Sequence, residues 1–267
     1  MTETPSPLTR AVDQALARLQ AEPPTPRRLE LQLRQLAKWR SVVLANTLVA
    51  RTGNTIPAGP FRGMSYSVEA SEGGRAPRLL GAYEASLHAV IETVIARAYP
   101  QIIDIGCAEG FYAVGLARRM PASIVFARDT DPRARDLCRT LAEANGVEDR
   151  LKIGAEVTHA EFALCEVART FIICDIEGAE GALLDPIQAP GLAQADILVE
   201  VHEGMHPGLL SALTERFAPT HRVTRIDRAL RPDLLPAWSE SLSDLDRLLL
   251  VWEWRVSPTP WLWMECR

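Results

Sequence analysis

The sequence predicts an α/β protein: a doubly wound, mostly parallel sheet with helices on both faces, preceded by a helical segment. Two observations predict it. Short β-rich runs alternate with helical patterns from residue 101 onward, as they do when crossover helices join parallel strands. The stretch "IIDIGCAEGFYAVGLA", starting at Ile102, then leads an apolar strand into an acid, a turn of small residues and an amphipathic run. In an open α/β sheet such a turn lies beyond the carboxyl end of a strand, where ligands bind.

The elements follow in order. Leu29, Leu33, Leu36 and Val43 recur at helical spacing and give one apolar face. "RTGNTIPAGPFRGMSY" ends that helix with Gly and Pro. A second helix is predicted over 80–99, burying Leu87, Val90, Ile91, Val94 and Ile95. The alternation then begins: "QIIDI", a helix over 109–119, "SIVFA", a helix over 132–145, "RLKIG" and a helix over 160–167. It continues with "TFIICDI", a helix from Ala179, "DILVEVH", a helix over 207–217 and "HRVTRI". Parallel crossovers of this kind are right-handed. The apolar "RLLLVWEWRV" reads as a last, antiparallel strand. Two units are expected: a helical cap segment over 1–79 and a ligand-binding domain over 80–267.

Composition narrows the classes. With 267 residues, 47% hydrophobic, the chain supports one substantial core. A formal charge of -5 argues against a nucleic-acid binder that neutralises phosphates broadly. No run approaches eighteen apolar residues, so no membrane span is expected. The opening shows no apolar leader, so a cytoplasmic location is expected. Cys107, Cys138, Cys165, Cys174 and Cys266 are scattered and form no CxxC pair, which fits reduced thiols.

The turn after "QIIDI" reads Gly106-x-Ala108-x-Gly110, which is not the dinucleotide spacing G-x-G-x-x-G. Glu109 stands where a pyrophosphate would want a free helix N-terminus, and an acid there suits a cofactor with cationic groups. The next strand, in "SIVFARDTDP", ends at Asp129, twenty-three residues past Gly106. A carboxylate at that place holds ribose hydroxyls. Asp131, before Pro132, suits a helix cap.

A second polar group closes the following strands. "FIICDIEGAE" ends in Asp175 and Glu177, and "DILVEVHEGMH" places Glu200 and His202 on one face of its strand. His202 and the carboxylates suit proton transfer, or Asp175, Glu177, Glu200 and His202 suit a divalent ion, Mg or Mn rather than Zn. "HEGMH" matches the zinc-protease pattern, but that pattern needs one helix, and Gly204 and Pro207 oppose it. Tyr83 and Glu84 stand as cofactor cover or as packing. His88, His159 and His221 read as structural, and Trp252, Trp254, Trp261 and Trp263 as packing residues, with a stacking wall for an aromatic or sugar substrate as the alternative.

"IIDIGCAEGFYAVGLA" followed by "FARDTDP" resembles motif I and the following acid of class I S-adenosylmethionine-dependent methyltransferases. "CDIEGAE" resembles the D-[IV]-E-G-x-E signature of the FkbM-type enzymes, and "LVEVHE" the strand after it. The resemblance covers residues 80–227 and leaves 1–79 and 228–247 uncovered. It implies a Rossmann-like seven-stranded sheet with an antiparallel last strand. It also implies methyl transfer from S-adenosylmethionine to the hydroxyl of a small molecule such as a sugar or polyketide. By family position, Asp104, Gly106 and Gly110 line the methionine moiety; Cys107, Ala108, Thr130 and Asp175 are further cofactor-binding candidates. Asp129 holds the ribose, and Ala155 and Glu156 lie near the adenine. His202, Asp175 and Glu177 are the catalytic candidates. Ala108 replaces the family's middle glycine, and a methyl there calls for negative φ. The rival readings are an NAD(P)-dependent oxidoreductase and a catalytically silent nucleotide-binding module. Whether the N-terminal helices cap their own sheet or build a homo-oligomer is left open.

Overall fold

The computed structural model describes residues 5–267. Two helices open the chain, α1 (Pro7–Gln20) and α2 (Pro26–Thr52), each capped by a side-chain oxygen, Ser6 and Thr25, with Pro in the first turn. A loop leads to α3 (Arg75–Leu80) and α4 (His88–Arg97). The alternating part runs β1 (Gln101–Ile105), α5 (Phe111–Arg119), β2 (Ile124–Arg128), α6 (Pro132–Ala144), α7 (Leu164–Val167), β3 (Thr170–Cys174) and α8 (Glu180–Leu183). It ends with β4 (Asp196–Glu200), α9 (Leu209–Phe217), β5 (His221–Ile226), α10 (Asp244–Leu250) and β6 (Trp261–Cys266).

The sheet has six strands in the order β2-β1-β3-β4-β6-β5. β1 to β4 pair in parallel, and β6 runs antiparallel to both β4 and β5. The expected seventh strand, "RLKIG", touches β2 only through the isolated bridges Val125↔Leu151 and Arg128↔Gly154. The run is short and meets Gly154 at its end, and short edge segments are how sheets blunt an exposed edge. The expected last strand is also displaced. Residues 244–250 form α10 because Ser243 accepts a hydrogen bond from the Asp246 amide, and leucine is a good helix former. The antiparallel strand is instead Trp261–Cys266.

The helix expected over 80–99 is split. Gly81 has φ 71 and Glu84 has φ 46, both left-handed, and they break the run between α3 and α4. Arg75–Arg97 is long and apolar enough to cross a membrane by length and composition alone, but half of it, including α3, is buried in the protein core.

Alternation along β1 sends Ile102 and Ile103 to opposite faces, and each face builds its own core. One cluster joins Ile102, Leu198 and Trp263 to Leu44, Leu48, Ile56, Phe61 and Leu80. Residues before position 80 therefore share a core with the sheet. The other joins Ile103, Ile172 and Ile197 to Phe162, Leu213 and Phe217. The carboxyl ends of β1, β2 and β3 open into one cavity, and that of β4 into a smaller compartment beside it.

Candidate active site

The turn after β1 is built around one obligatory glycine. Gly106 has φ +80, and a Cβ there would lie 1.8 Å from the Asp175 carbonyl oxygen. The Gly106 and Cys107 amides both donate to the Arg128 carbonyl, at 2.8 and 2.9 Å, which binds the turn to the end of β2. Ala108 corrects the sequence expectation of negative φ: its φ is 49, in the left-handed region. Its amide donates to Asp129 Oδ2 at 2.9 Å, which holds the strained residue in place. Gly110, at φ +89, turns away from the cavity. A Cβ there would meet Cys138 Sγ at 2.7 Å, so this glycine sets the approach of α5 to α6.

The cavity measures about 640 Å³, within the range of small-ligand sites. Asp104, Gly106, Cys107 and Ala108 line it from β1, and Asp129 and Thr130 from β2. Ala155 and Glu156 follow the shortened third run, and Asp175 and Glu177 follow β3. Asp129 Oδ1 accepts the Asp131 amide at 2.8 Å, while Asp131 caps α6 as expected. Asp104 is buried, and burial pushes its carboxyl up to about 7 against a hydrogen bond from the Ala113 backbone. Its Oδ2 has no hydrogen-bond partner among the described residues.

Glu109 lines the same cavity but does not offer it a free charge, which corrects its expected role. The Arg78 Nε lies 2.8 Å from its Oε1, and both side chains are buried. Tyr66 Oη and the Ser71 amide donate to its two oxygens at 2.7 and 2.9 Å. Glu109 thus ties the segment before α4 to the cofactor-type turn.

His202 sits where four carboxylates converge. Its Nδ1 contacts Glu180 Oε1 at 2.7 Å. Its Nε2 faces Glu177 Oε2 at 3.4 Å, Asp175 Oδ1 at 3.6 Å and Glu200 Oε2 at 3.8 Å. Burial opposes protonation of the ring, but the Glu180 bond and the Glu200 and Glu177 charges carry its pKa above the ordinary value. Asp175 is raised well above the carboxylate range, by burial first and by Glu200 beside it second. Asp175 and Glu177 also line a smaller compartment of about 250 Å³ that contains Glu200 and His202.

Sequence alone does not single out Glu180, Arg255, Thr259 or Glu72, whereas it reads Tyr83 and Glu84 as cofactor cover or packing and His159 as structural. Glu180 belonged to the "DIEGAE" signature but was given no role. Arg255 is buried against Glu200, Glu84 and Glu253, and Thr259 also bonds Glu200. Glu84, buried and bonded to Tyr112, is pushed up to about 7, mainly by burial and against the Arg255 charge. Tyr83 borders both compartments and lies under the Arg78 guanidinium, 3.8 Å from its ring centre. Glu72 reaches the cavity from the loop before α3, and His159 from the other rim.

The zinc-protease spacing has no structural counterpart. Residues 203–207 are turns and bends, and Glu203 instead accepts the Gly208 and Leu210 amides at the start of α9. Trp261 and Trp263 are buried on β6, while Trp254 lines the smaller compartment.

No family model matches the chain. Over 65 residues it is 38% identical to the release factor glutamine methyltransferase of Chlorobaculum tepidum, which is 24% of this chain and 22% of that relative. The chain therefore spans about a fifth of the length of the curated relative it matches. The METTL16 methyltransferase domain superposes with a TM-score of 0.50 at 13% identity, covering 86% of this chain and 80% of that one. An O-methyltransferase from Bacillus cereus in complex with SAH gives 0.46 at 12% identity, over 96% and 97%. With the strand order and the METTL16 superposition together, the chain has a Rossmann-like methyltransferase fold on a six-stranded sheet.

Proposed function

We propose that the chain is an S-adenosylmethionine-dependent O-methyltransferase of the FkbM type, acting on a hydroxyl of a small molecule. One observation carries the reading: Asp129, at the end of β2, is locked to the Gly106–Ala108 turn and borders a cavity of about 640 Å³. The residues present fit the cofactor. The unpartnered Asp104 Oδ2 is a receptor for an ammonium group, and Gly106 allows the backbone a close approach. Each Asp129 oxygen accepts one backbone N–H and keeps a lone pair for a ribose hydroxyl. Ala155 and Glu156 border the adenine end.

The bound cofactor supplies an electrophilic methyl group on a sulfonium. The chain's task is to align an acceptor oxygen with it and to take one proton. Transfer of that methyl to an acceptor oxygen would leave the S–C electron pair on sulfur and release the hydroxyl proton, which the chain's own residues must take up. An alcohol near the pKa of water, about 15.7, lies roughly nine units above histidine, so prior deprotonation costs on the order of 12 kcal/mol. Proton removal therefore accompanies transfer. Asp175 and Glu177 border the large cavity where it happens, and His202 lines the smaller compartment beside them, with Glu180 orienting the ring. Proximity and alignment supply much of the acceleration. Residues 5–79 act as a cap: Glu72 and Arg78 reach the large cavity, and Arg34 and Lys38 of α2 the smaller one.

Incubation with methyl-labelled S-adenosylmethionine and a panel of sugars, polyols and phenols tests the reading. Label in an ether product is expected. Label only in amines or in protein, or none with the cofactor bound, overturns the hydroxyl acceptor.

A further inference from the structure

We propose that Asp175, Glu200 and His202 form a divalent-cation site, suited to Mg²⁺ or Mn²⁺, between the large cavity and the smaller compartment. The use of such an ion in methyl transfer rests on the reading above; its binding does not.

The geometry fits. One ligand atom from each residue lies within 4.8 Å of the others. Ligands about 2.1 Å from an octahedral ion are about 3 Å apart when adjacent and about 4.2 Å apart when opposite. His202 Nε2 is 3.6 Å from Asp175 Oδ1 and 3.8 Å from Glu200 Oε2, so a small inward movement completes the set.

Two observations separate this cluster from an ordinary group of acids. The His202 side chain is only 6% exposed, its Nε2 makes no hydrogen bond among the described residues, and that nitrogen points at the carboxylates. Asp175 Oδ1 is a buried oxygen that also has no hydrogen-bond partner. Without a shared proton, the two carboxylates are acceptors only and cannot satisfy each other. A cation in contact with both oxygens and with the imidazole nitrogen satisfies all three.

The charge count agrees. The buried guanidinium of Arg255 is shared by Glu84, Glu200 and Glu253. Asp175, Glu177 and Glu180 have His202 as their common neighbour. Behind the ring, Glu180 takes Nδ1 at 2.7 Å, the carboxylate–histidine–metal arrangement that fixes the tautomer for ligation through Nε2. Two carboxylates with one imidazole favour Mg²⁺ or Mn²⁺ over Zn²⁺. Glu177 stays on the rim: its side chain is 56% exposed and it lies outside the mutually close set. This narrows the four-residue expectation to three ligands.

Titration of the full chain with Mn²⁺, without donor, and with free ion followed by electron paramagnetic resonance, tests the site. The wild type is expected to bind one Mn²⁺ per chain at submillimolar concentration. Asp175→Asn and His202→Ala should each weaken binding tenfold or more, and Glu180→Gln, which removes no ligand, by about 10- to 100-fold. Asp185→Asn, at a half-buried acid outside the site, should leave it unchanged. A wild type that leaves millimolar Mn²⁺ free, or variants that bind as the wild type does, overturns the site. The wild-type arm needs no variant to fold. Separate titration with S-adenosylhomocysteine distinguishes loss of this site from loss of the methyltransferase reading.

Discussion

The Ala108 amide donates to Asp129 Oδ2 at 2.9 Å, so the strained residue of the first turn and the acid of the second strand hold each other. Ala108 sits at φ 49. An L-residue there costs about 1–2 kcal/mol, and glycine returns about 0.5–1 kcal/mol of that as unfolded-state entropy. Ala108→Gly should therefore raise stability by up to about 1.5 kcal/mol, read from the urea midpoint. A fall in the midpoint contradicts the left-handed turn.

Asp129→Asn keeps the shape but removes the charge. Charge-assisted hydrogen bonds contribute about 1.5–3 kcal/mol. Affinity for S-adenosylhomocysteine should fall by roughly 10- to 150-fold, measured by calorimetry. Unchanged affinity takes Asp129 out of the ribose site.

Asp104 gives a pH dependence. Its folded pKa is raised to about 7 by burial. The folded state then holds the proton more tightly than the unfolded chain. Its stabilising share is full below about pH 4 and is lost as pH rises to about 7. A ligand ammonium favours the ionised form, so S-adenosylhomocysteine should bind more tightly as pH climbs through about 7. Asp104→Asn should flatten both profiles. A wild-type affinity that does not change between pH 5 and 8 contradicts the assigned contact.

Glu109→Gln isolates the Arg78 charge in the core, since the two groups are a buried pair at 2.8 Å. Breaking such a pair costs about 3–5 kcal/mol. Chemical denaturation should show a loss of that size, and a loss below about 1 kcal/mol would mean the pair is solvated.

Much of this site was legible because it is local in sequence. The strand–acid–small-residue turn, Asp129 and the paired ends of β3 and β4 are each read within a dozen residues, and strand alternation puts Glu200 and His202 together. What escaped depends on distance along the chain. Arg255 reaches Glu200 across 55 residues and Glu84 across 171. Glu109 is neutralised by Arg78, whose helix lies ahead of the sheet. "RLLLVWEWRV" was misread because apolar residues mark a buried strand and a buried helix alike, and the cap at Ser243 decided between them.

The most direct measurement is calorimetric titration of the purified chain with S-adenosylhomocysteine, with NAD as the counter-ligand. The account predicts one S-adenosylhomocysteine per chain and no heat from NAD. Saturable binding of NAD, or silence toward S-adenosylhomocysteine at millimolar concentration, would contradict it.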